Sequence, residues 1–328
     1  YKRQEENGLL IAILLHDIGH GPFSHAMEHS IVNNISHEQI SLLFMEKLNP
    51  EFNSNLTLAI QIFKGEYHRN FMCQLISSQL DMDRADYLKR DSFYTGVAEG
   101  NINSERLITM LNVVDDELVV EDKGIYSVEK FLVARRLMYW QVYLHKTGLV
   151  AEQLLIRVLQ RAKQLTNTGV NLKASAPLQF FLENEISLAE FDDKVLDTFA
   201  QLDDYDIISA MKKWQFNEDF VLRNLCDMII NRELLKVKLK SEPIPLVKLE
   251  SYILELMDKY NISDEEARYF VFSGEVSNQA YHNKKQRINI LFKNGKIKDI
   301  VDASDHLNLK ALSKPVTKYY ICYPKQKL

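Results

Sequence analysis

Five of the nine histidines of this chain fall between positions 16 and 37. The string His16-Asp17-Ile18-Gly19-His20-Gly21-Pro22-Phe23-Ser24-His25 is followed by Ser36-His37-Glu38-Gln39 and, far downstream, by the acidic stretch Asp81-Met82-Asp83-Arg84-Ala85-Asp86-Tyr87-Leu88-Lys89-Arg90-Asp91. An adjacent His-Asp pair at the C-terminal end of a helix offers one nitrogen and one oxygen ligand about 100° apart. The helix carbonyls nearby favour a cation. A buried Asp17 without a partner would cost on the order of several kcal/mol, so a metal, a cation or a dense hydrogen-bond set must answer it. Asp83 is a distant carboxylate that can complete such a site. A lone His-Asp dipeptide is most often a capped helix end. His20, His25 and His37, gathered around a turn shaped by Gly19, Gly21 and Pro22, are more titratable groups than ordinary packing requires.

The chemistry that fits is phosphoester hydrolysis. At neutral pH it requires a metal that polarises a phosphoryl oxygen or lowers the pKa of a water, and a proton for the leaving alkoxide, which His37 can supply. Arg84, Arg135 and Lys146 are the candidate cations for phosphate oxygens. Asp91 would be a poor phosphate neighbour but a good acceptor for a sugar hydroxyl. The chain has no GxxxxGK[ST] loop and no GxSxG elbow, which excludes a P-loop mechanism and a nucleophile-elbow hydrolase.

These motifs resemble those of the HD-domain phosphohydrolases, and within them the deoxynucleoside triphosphate triphosphohydrolase branch; the resemblance covers about residues 1–165. It implies a metal held by His16, Asp17 and Asp83, with a first histidine on a helix upstream of Leu9. It further implies that His37 is the general acid or base with Glu38 beside it to orient or tune the ring, and that His20 and His25 line the phosphate path. Arg84 stands where the family often has lysine, Tyr87 and Asp91 match residues that hold sugar and phosphate, and Arg135 and Tyr143 match a terminal-phosphate and a sugar-side contact. The cofactor implied is a divalent ion, with manganese, iron, magnesium, nickel and zinc all suited to mixed imidazole and carboxylate ligands. A nucleotide substrate and a homo-oligomer are the partners the resemblance implies.

The elements that must position these groups read as mainly α. Residues 7–20 form a helix apolar nearly all round, the pattern of a central core element. Ser36 and Gln39 make a capping box that opens a helix through Ile40 and Phe44. Long helical patterns cover 71–92 and 127–162. The sequence thus predicts an all-helical HD domain over 1–165, a helical extension over 166–232 and a small α+β lobe over 233–328. In that lobe Asn294-Gly295 predicts a hairpin with positive φ at both turn positions, between strands at 287–293 and 296–302. Further strands are expected at 268–272 and 319–323.

The 328 residues carry 40 basic and 45 acidic side chains, a formal charge of −5, so no overall basic field draws the chain to nucleic acid or an anionic membrane. Three cysteines without CxxC spacing suit a reducing compartment, and the expected location is cytoplasmic. The longest apolar run, Leu9–Leu15, is too short to span a bilayer. Two other functions compete: a phosphohydrolase for nucleoside monophosphates or other phosphoesters, and a catalytically inactive HD domain that binds nucleotide and reports it.

Overall fold

A computed structural model describes residues 3–28, 30–32, 35–282, 286–305 and 309–325. Among the described residues it is mainly helical, with two small sheets. In chain order the elements are α1 (Arg3–Leu15), α2 (His25–Glu28), α3 (His37–Glu51), α4 (Thr57–Phe63), α5 (Asn70–Ile76), α6 (Met82–Thr95), α7 (Ser104–Thr109), β1 (Leu111–Val114), β2 (Glu117–Glu121), α8 (Ile125–Met138) and α9 (Lys146–Asn167). There follow α10 (Ala176–Glu183), α11 (Asp193–Phe199), α12 (Asp204–Trp214), α13 (Phe220–Ile230), β3 (Lys236–Lys240), α14 (Leu246–Tyr260), α15 (Asp264–Arg268), β4 (Phe272–Asn278), β5 (Asn289–Leu291), β6 (Ile297–Asp299), α16 (Ile300–Ala303), α17 (Leu309–Leu312) and β7 (Val316–Tyr323).

Two compact units interleave along the chain. The first takes residues 1–16, 48–145 and 277–317. It has two apolar cores. One gathers Leu88, Phe131, Leu132, Met138, Tyr281 and Ile290; the other joins Ala12 of α1 to Ala59 and Ile62 of α4 and to Met72 and Ile76 of α5. Its sheet runs β1-β2-β5-β6, with β2 and β5 parallel through Val120↔Ile290. The second unit takes residues 17–47, 146–276 and 318–328. A single core there collects Ile40 of α3, Leu154 and Val158 of α9, Phe181, Trp214, Leu225 and Ile321. Its sheet runs β3-β7-β4, with β3 and β7 antiparallel through Leu239↔Tyr320.

Several sequence expectations change here. The helix expected over 71–92 is two helices, α5 and α6, separated at Ser77–Asp81, where Asp81 accepts from the Arg84 amide and caps α6. The helix expected over 127–162 is also broken: α8 widens into a π-turn over Tyr139–Tyr143, and α9 starts afresh at Lys146. Helix α1 stops at Leu15, and Leu10 and Leu14 are 58% and 77% exposed, so it is not apolar-packed on every side. The region expected to be all-helical contains the hairpin β1–β2, whose Asp115 and Asp116 both have positive φ. That is the two-residue turn that matches strand twist, written in aspartates instead of Asn-Gly.

The predicted hairpin at Asn294-Gly295 forms between β5 and β6, but only Gly295 lies in the left-handed region, at φ 78°. Phe292 and Gly295 close the tight turn, and the Phe292 amide donates to Lys296. This is the longer loop with one left-handed glycine instead of the two-residue turn. The strand expected at 268–272 is the end of α15 followed by β4 from Phe272. The Ser36–Gln39 capping box is present, with Gln39 Oε1 accepting from the Ser36 amide at 2.9 Å. No helix among the described residues is long and apolar enough to cross a membrane.

Candidate active site

In the first unit the chemistry sits at the end of α1 and on the facing sides of α6 and α8. His16 follows α1 directly. Its Nδ1–H donates to the Ile13 carbonyl at 2.7 Å, which turns Nε2 toward Asp83, 3.7 Å from Oδ1. A backbone carbonyl on the far nitrogen is the usual way a ligating imidazole is fixed in tautomer and direction. The His16 ring, with Arg84 and Arg90 behind it, holds the Asp83 carboxyl below the usual carboxylate range although its burial works the other way.

Arg84, Tyr87 and Asp91 follow Asp83 at helical spacing on α6. Arg84 is pinned by Asp81, which is almost fully buried, accepts the Arg84 and Ser78 amides and pairs with the guanidinium. Burial pushes the Asp81 carboxyl up, against the pull of Arg84. Across from it, Arg135 of α8 is 5% exposed and donates to Gln79 Oε1 at 3.2 Å. Burial, and then the neighbouring Arg84, push the Arg135 guanidinium below its ordinary value. The Nε atoms of both arginines are buried and have no hydrogen-bond partner among the described residues. Two close guanidinium groups with open donors are a place for an anion.

The π-turn carries the rest. Tyr143 donates to Asp91 Oδ2 at 2.8 Å, and its ring meets those of Tyr87 and Tyr139 edge-on at 5.7 and 5.1 Å. Burial and the Asp91 hydrogen bond raise the Tyr143 phenol well above its ordinary pKa. Tyr139 was not singled out from the sequence. The spacing Arg135, Tyr139, Tyr143 on one helical face would have found it.

The second unit holds Asp17, His20 and His37. Their rings and carboxylate converge: one donor atom from each lies within 4.8 Å of the others. The two imidazoles stack with centroids 3.8 Å apart and planes at 18°. His20 Nε2 is 3.7 Å from Asp17 Oδ1, and His20 Nδ1 is 3.0 Å from Ser24 Oγ. Gly19 makes this possible, since a Cβ there would overlap the His37 carbonyl and the Ser41 amide of α3. Phe23 and Ser24 complete the turn in left-handed backbone, φ 53° and 52°, a strained conformation for residues with side chains.

The residue that orients His37 differs from the one expected. Glu28 of α2 accepts from both the His37 amide and Nδ1, at 3.0 and 2.7 Å, whereas Glu38 Oε1 lies 3.3 Å from the other nitrogen, Nε2. Glu28 lies nine residues before His37 with no helical or strand period between them, so the sequence carried no signal for it. Burial works against ionisation of Glu38, but Ser36, its own backbone amide and the two imidazoles hold it below the usual range. The side chain of His25 lies outside the described residues. Lys146 is exposed at the start of α9. His16 and Asp17, one in each unit, are joined by a single peptide bond.

Comparison with known proteins places these residues in context. The HD domain matches residues 2–98, and the HD associated region matches residues 102–175. The chain is similar to a phosphohydrolase from Bacteroides thetaiotaomicron of known structure, with a TM-score of 0.94 and 52% identity over 99% of this chain and 81% of the other. It is 31% identical to the Bacillus subtilis protein YwfO over 96% of this chain and 73% of the relative. A deoxynucleoside triphosphate triphosphohydrolase homologue from Dictyostelium discoideum is 28% identical over 52% of this chain, which spans 36% of that protein's length.

Proposed function

This chain belongs to the HD-domain phosphohydrolases, metal-dependent enzymes, and from that premise we propose that it cleaves deoxynucleoside triphosphates into deoxynucleoside and inorganic triphosphate. The observation that carries the substrate is the pairing, inside one unit, of two guanidinium groups having open Nε donors with a tyrosine box that holds Asp91. Such a site offers cations for a polyphosphate and, next to them, aromatic edges and a carboxylate for a sugar. A nucleoside monophosphate would leave one of the two arginines without an anion. The distant likeness to a triphosphohydrolase supports the same substrate.

In this reading the motif residues His16, Asp17 and Asp83 would hold the divalent ion, which would supply Lewis-acid polarisation of a phosphoryl oxygen and a more acidic water. Arg84, fixed by Asp81, and Arg135, fixed by Gln79, neutralise the phosphate chain. Asp91, backed by the Tyr143 hydroxyl, accepts from the sugar hydroxyl, and Tyr87 and Tyr139 exclude water around it. His37, whose Nδ1 hydrogen-bonds Glu28, is the candidate proton donor for the leaving 5′-oxygen. With the sugar held by Asp91 and Tyr143 and the phosphates by the two arginines, water attacks the α-phosphorus, the bond to the 5′-oxygen breaks, and triphosphate is released whole.

Product analysis in ¹⁸O-water tests this. Each deoxynucleoside triphosphate incubated with the Mn²⁺-loaded protein should yield label in triphosphate and none in the nucleoside. Orthophosphate as first product would overturn the substrate assignment while leaving a metal phosphohydrolase.

A further inference from the structure

We propose that the first unit carries a binding site for a sugar monophosphate, in a cavity lined by the same Ser77–Asp81 connection that holds Arg84 and Arg135, and that its occupant tightens substrate binding. The site stands on its own chemistry; its effect on the arginines rests on the triphosphohydrolase reading. The cavity measures about 500 Å³, the size of a small-molecule site, and is walled by α4, α5, β2 and the approach to β5. All of these belong to the first unit.

The lining divides into a cationic part and a hydrogen-bonding part. Lys64 and Arg287 bring the positive charge. Lys64 shares its charge with exposed Glu66 at 3.1 Å, whereas Arg287 makes no ion pair among the described residues. Glu117 in the same lining faces neutral partners: it accepts from Asn70 Nδ2 at 2.7 Å and from Gln74 Nε2 at 2.6 Å. The Leu118 amide donates to Gln74 Oε1 at 2.7 Å, which fixes the Gln74 amide in direction. Neutral amides steady a carboxylate without cancelling its charge, and each of its oxygens keeps a lone pair for a hydroxyl. Ser77 adds a hydroxyl with no hydrogen-bond partner among the described residues. A ligand that satisfies this pattern has an anionic head for Arg287 and Lys64 and, away from it, hydroxyls for Glu117 and Ser77. That is a phosphorylated polyol. Ile62, Leu118 and Ile288 offer aliphatic wall for the C–H face of a sugar, while Phe63 is the single aromatic side chain in the lining, too little to sandwich a base.

The connection between α5 and α6 links this cavity to the arginines. Ser77, Ser78 and Leu80 line it, while Gln79 accepts from Arg135 and Asp81 pairs with Arg84. The Ser78 amide donates to Asp81 Oδ2 at 3.0 Å, so the residue that holds Arg84 is itself tied to a cavity wall. Gln79 Oε1 also accepts from the His282 amide at 3.4 Å, and His282 lies five residues before Arg287. A ligand that bridges Arg287 and Ser77 therefore steadies both holders of the guanidinium groups, and a preorganised pair binds a polyphosphate with less ordering cost.

Ribose 5-phosphate titrated calorimetrically into the full chain tests the site. It should bind, and inorganic phosphate and unphosphorylated ribose should each bind at least about 10-fold more weakly, since each lacks half of the contacts. Arg287→Ala and Glu117→Gln should each weaken binding by roughly 10-fold and leave turnover in the absence of the sugar phosphate unchanged. With it present, KM for a deoxynucleoside triphosphate should fall by about 5-fold or more at unchanged kcat, and Arg287→Ala should abolish that fall. A higher melting temperature of the wild-type protein with ribose 5-phosphate is a readout that needs no variant to fold. No binding, equal affinity for inorganic phosphate, or binding that survives both substitutions would overturn the site. Binding with an unchanged KM would overturn the coupling. The titration contains no substrate, which keeps the two readings apart: sugar phosphate bound without triphosphate release sinks the substrate assignment alone, and triphosphate release without sugar phosphate binding sinks the cavity site alone.

Discussion

At the scale of single residues, the structure moves the orienting role from Glu38 to Glu28. Glu28 accepts two hydrogen bonds from His37, one of them from Nδ1 at 2.7 Å, while Glu38 touches the opposite edge. Replacing a carboxylate that orients a ligating or reacting imidazole typically costs 10- to 100-fold in metal affinity or activity. Glu28→Gln should therefore lower kcat by about 10- to 100-fold, and Glu38→Gln should lower it less. The order of the two effects, read from steady-state kinetics at saturating Mn²⁺, is the check; a larger loss in Glu38→Gln would return the orienting role to Glu38. The sequence could name His37 because the motif around it resembles that of the HD-domain phosphohydrolases. It could not name Glu28, because α2 is a single turn whose direction is set by the left-handed residues before it.

At the scale of elements, two breaks do most to place the site. The interruption at Ser77–Asp81 lets Asp81 cap α6 and hold Arg84, and the π-turn after α8 brings Tyr143 to Asp91. A π-turn adds one residue to a helical turn and shifts every side chain beyond it, which is why such turns recur at functional sites. Neither was legible: residues 71–92 and 127–162 keep a helical apolar period through the breaks, and a period of 3.6 does not register one extra residue. The contact of Gly19 with α3 is the element-level feature most open to test. Gly19→Ala should destabilise the protein by about 1 to 3 kcal/mol through forced displacement of backbone, measured as a lower midpoint in urea with an unchanged slope. An unchanged midpoint would mean that the turn is free to move away from α3.

At the scale of the whole molecule, each unit needs its own closure. In the second unit Arg161 of α9 grips Asp219 with two hydrogen bonds, at 3.1 and 2.5 Å, while Asp219 also caps α13 through the Leu222 amide at 2.7 Å. Burial alone would raise the Asp219 carboxyl, but Arg161, the Leu222 amide and Arg223 bring it below the usual range. A carboxyl whose folded-state pKa lies below its unfolded value near 3.9 contributes stability that is complete above about pH 5 and disappears as pH falls through the folded value. Urea midpoints should therefore drop more steeply below about pH 4 in the wild type than in Asp219→Asn. Parallel curves would show that the pair does not hold α9 to α13.

What the sequence determined by itself was local chemistry. The run from His16 to His25, the box at Ser36–Gln39 and the spacing from Asp83 to Asp91 state which groups are present and that helices carry them, because capping, periodicity and adjacent ligands act over a few residues. The Asn294-Gly295 hairpin was legible for the same reason, although the longer loop form depended on Phe292 and Lys296. Tertiary structure decided what no local rule encodes. It paired β2 with β5 across some 170 residues of chain, stacked His20 on His37, set Arg135 and Gln79 together and divided the chain into interleaved units. Those choices follow from which apolar faces bury against each other, and that is settled only when every face competes at once.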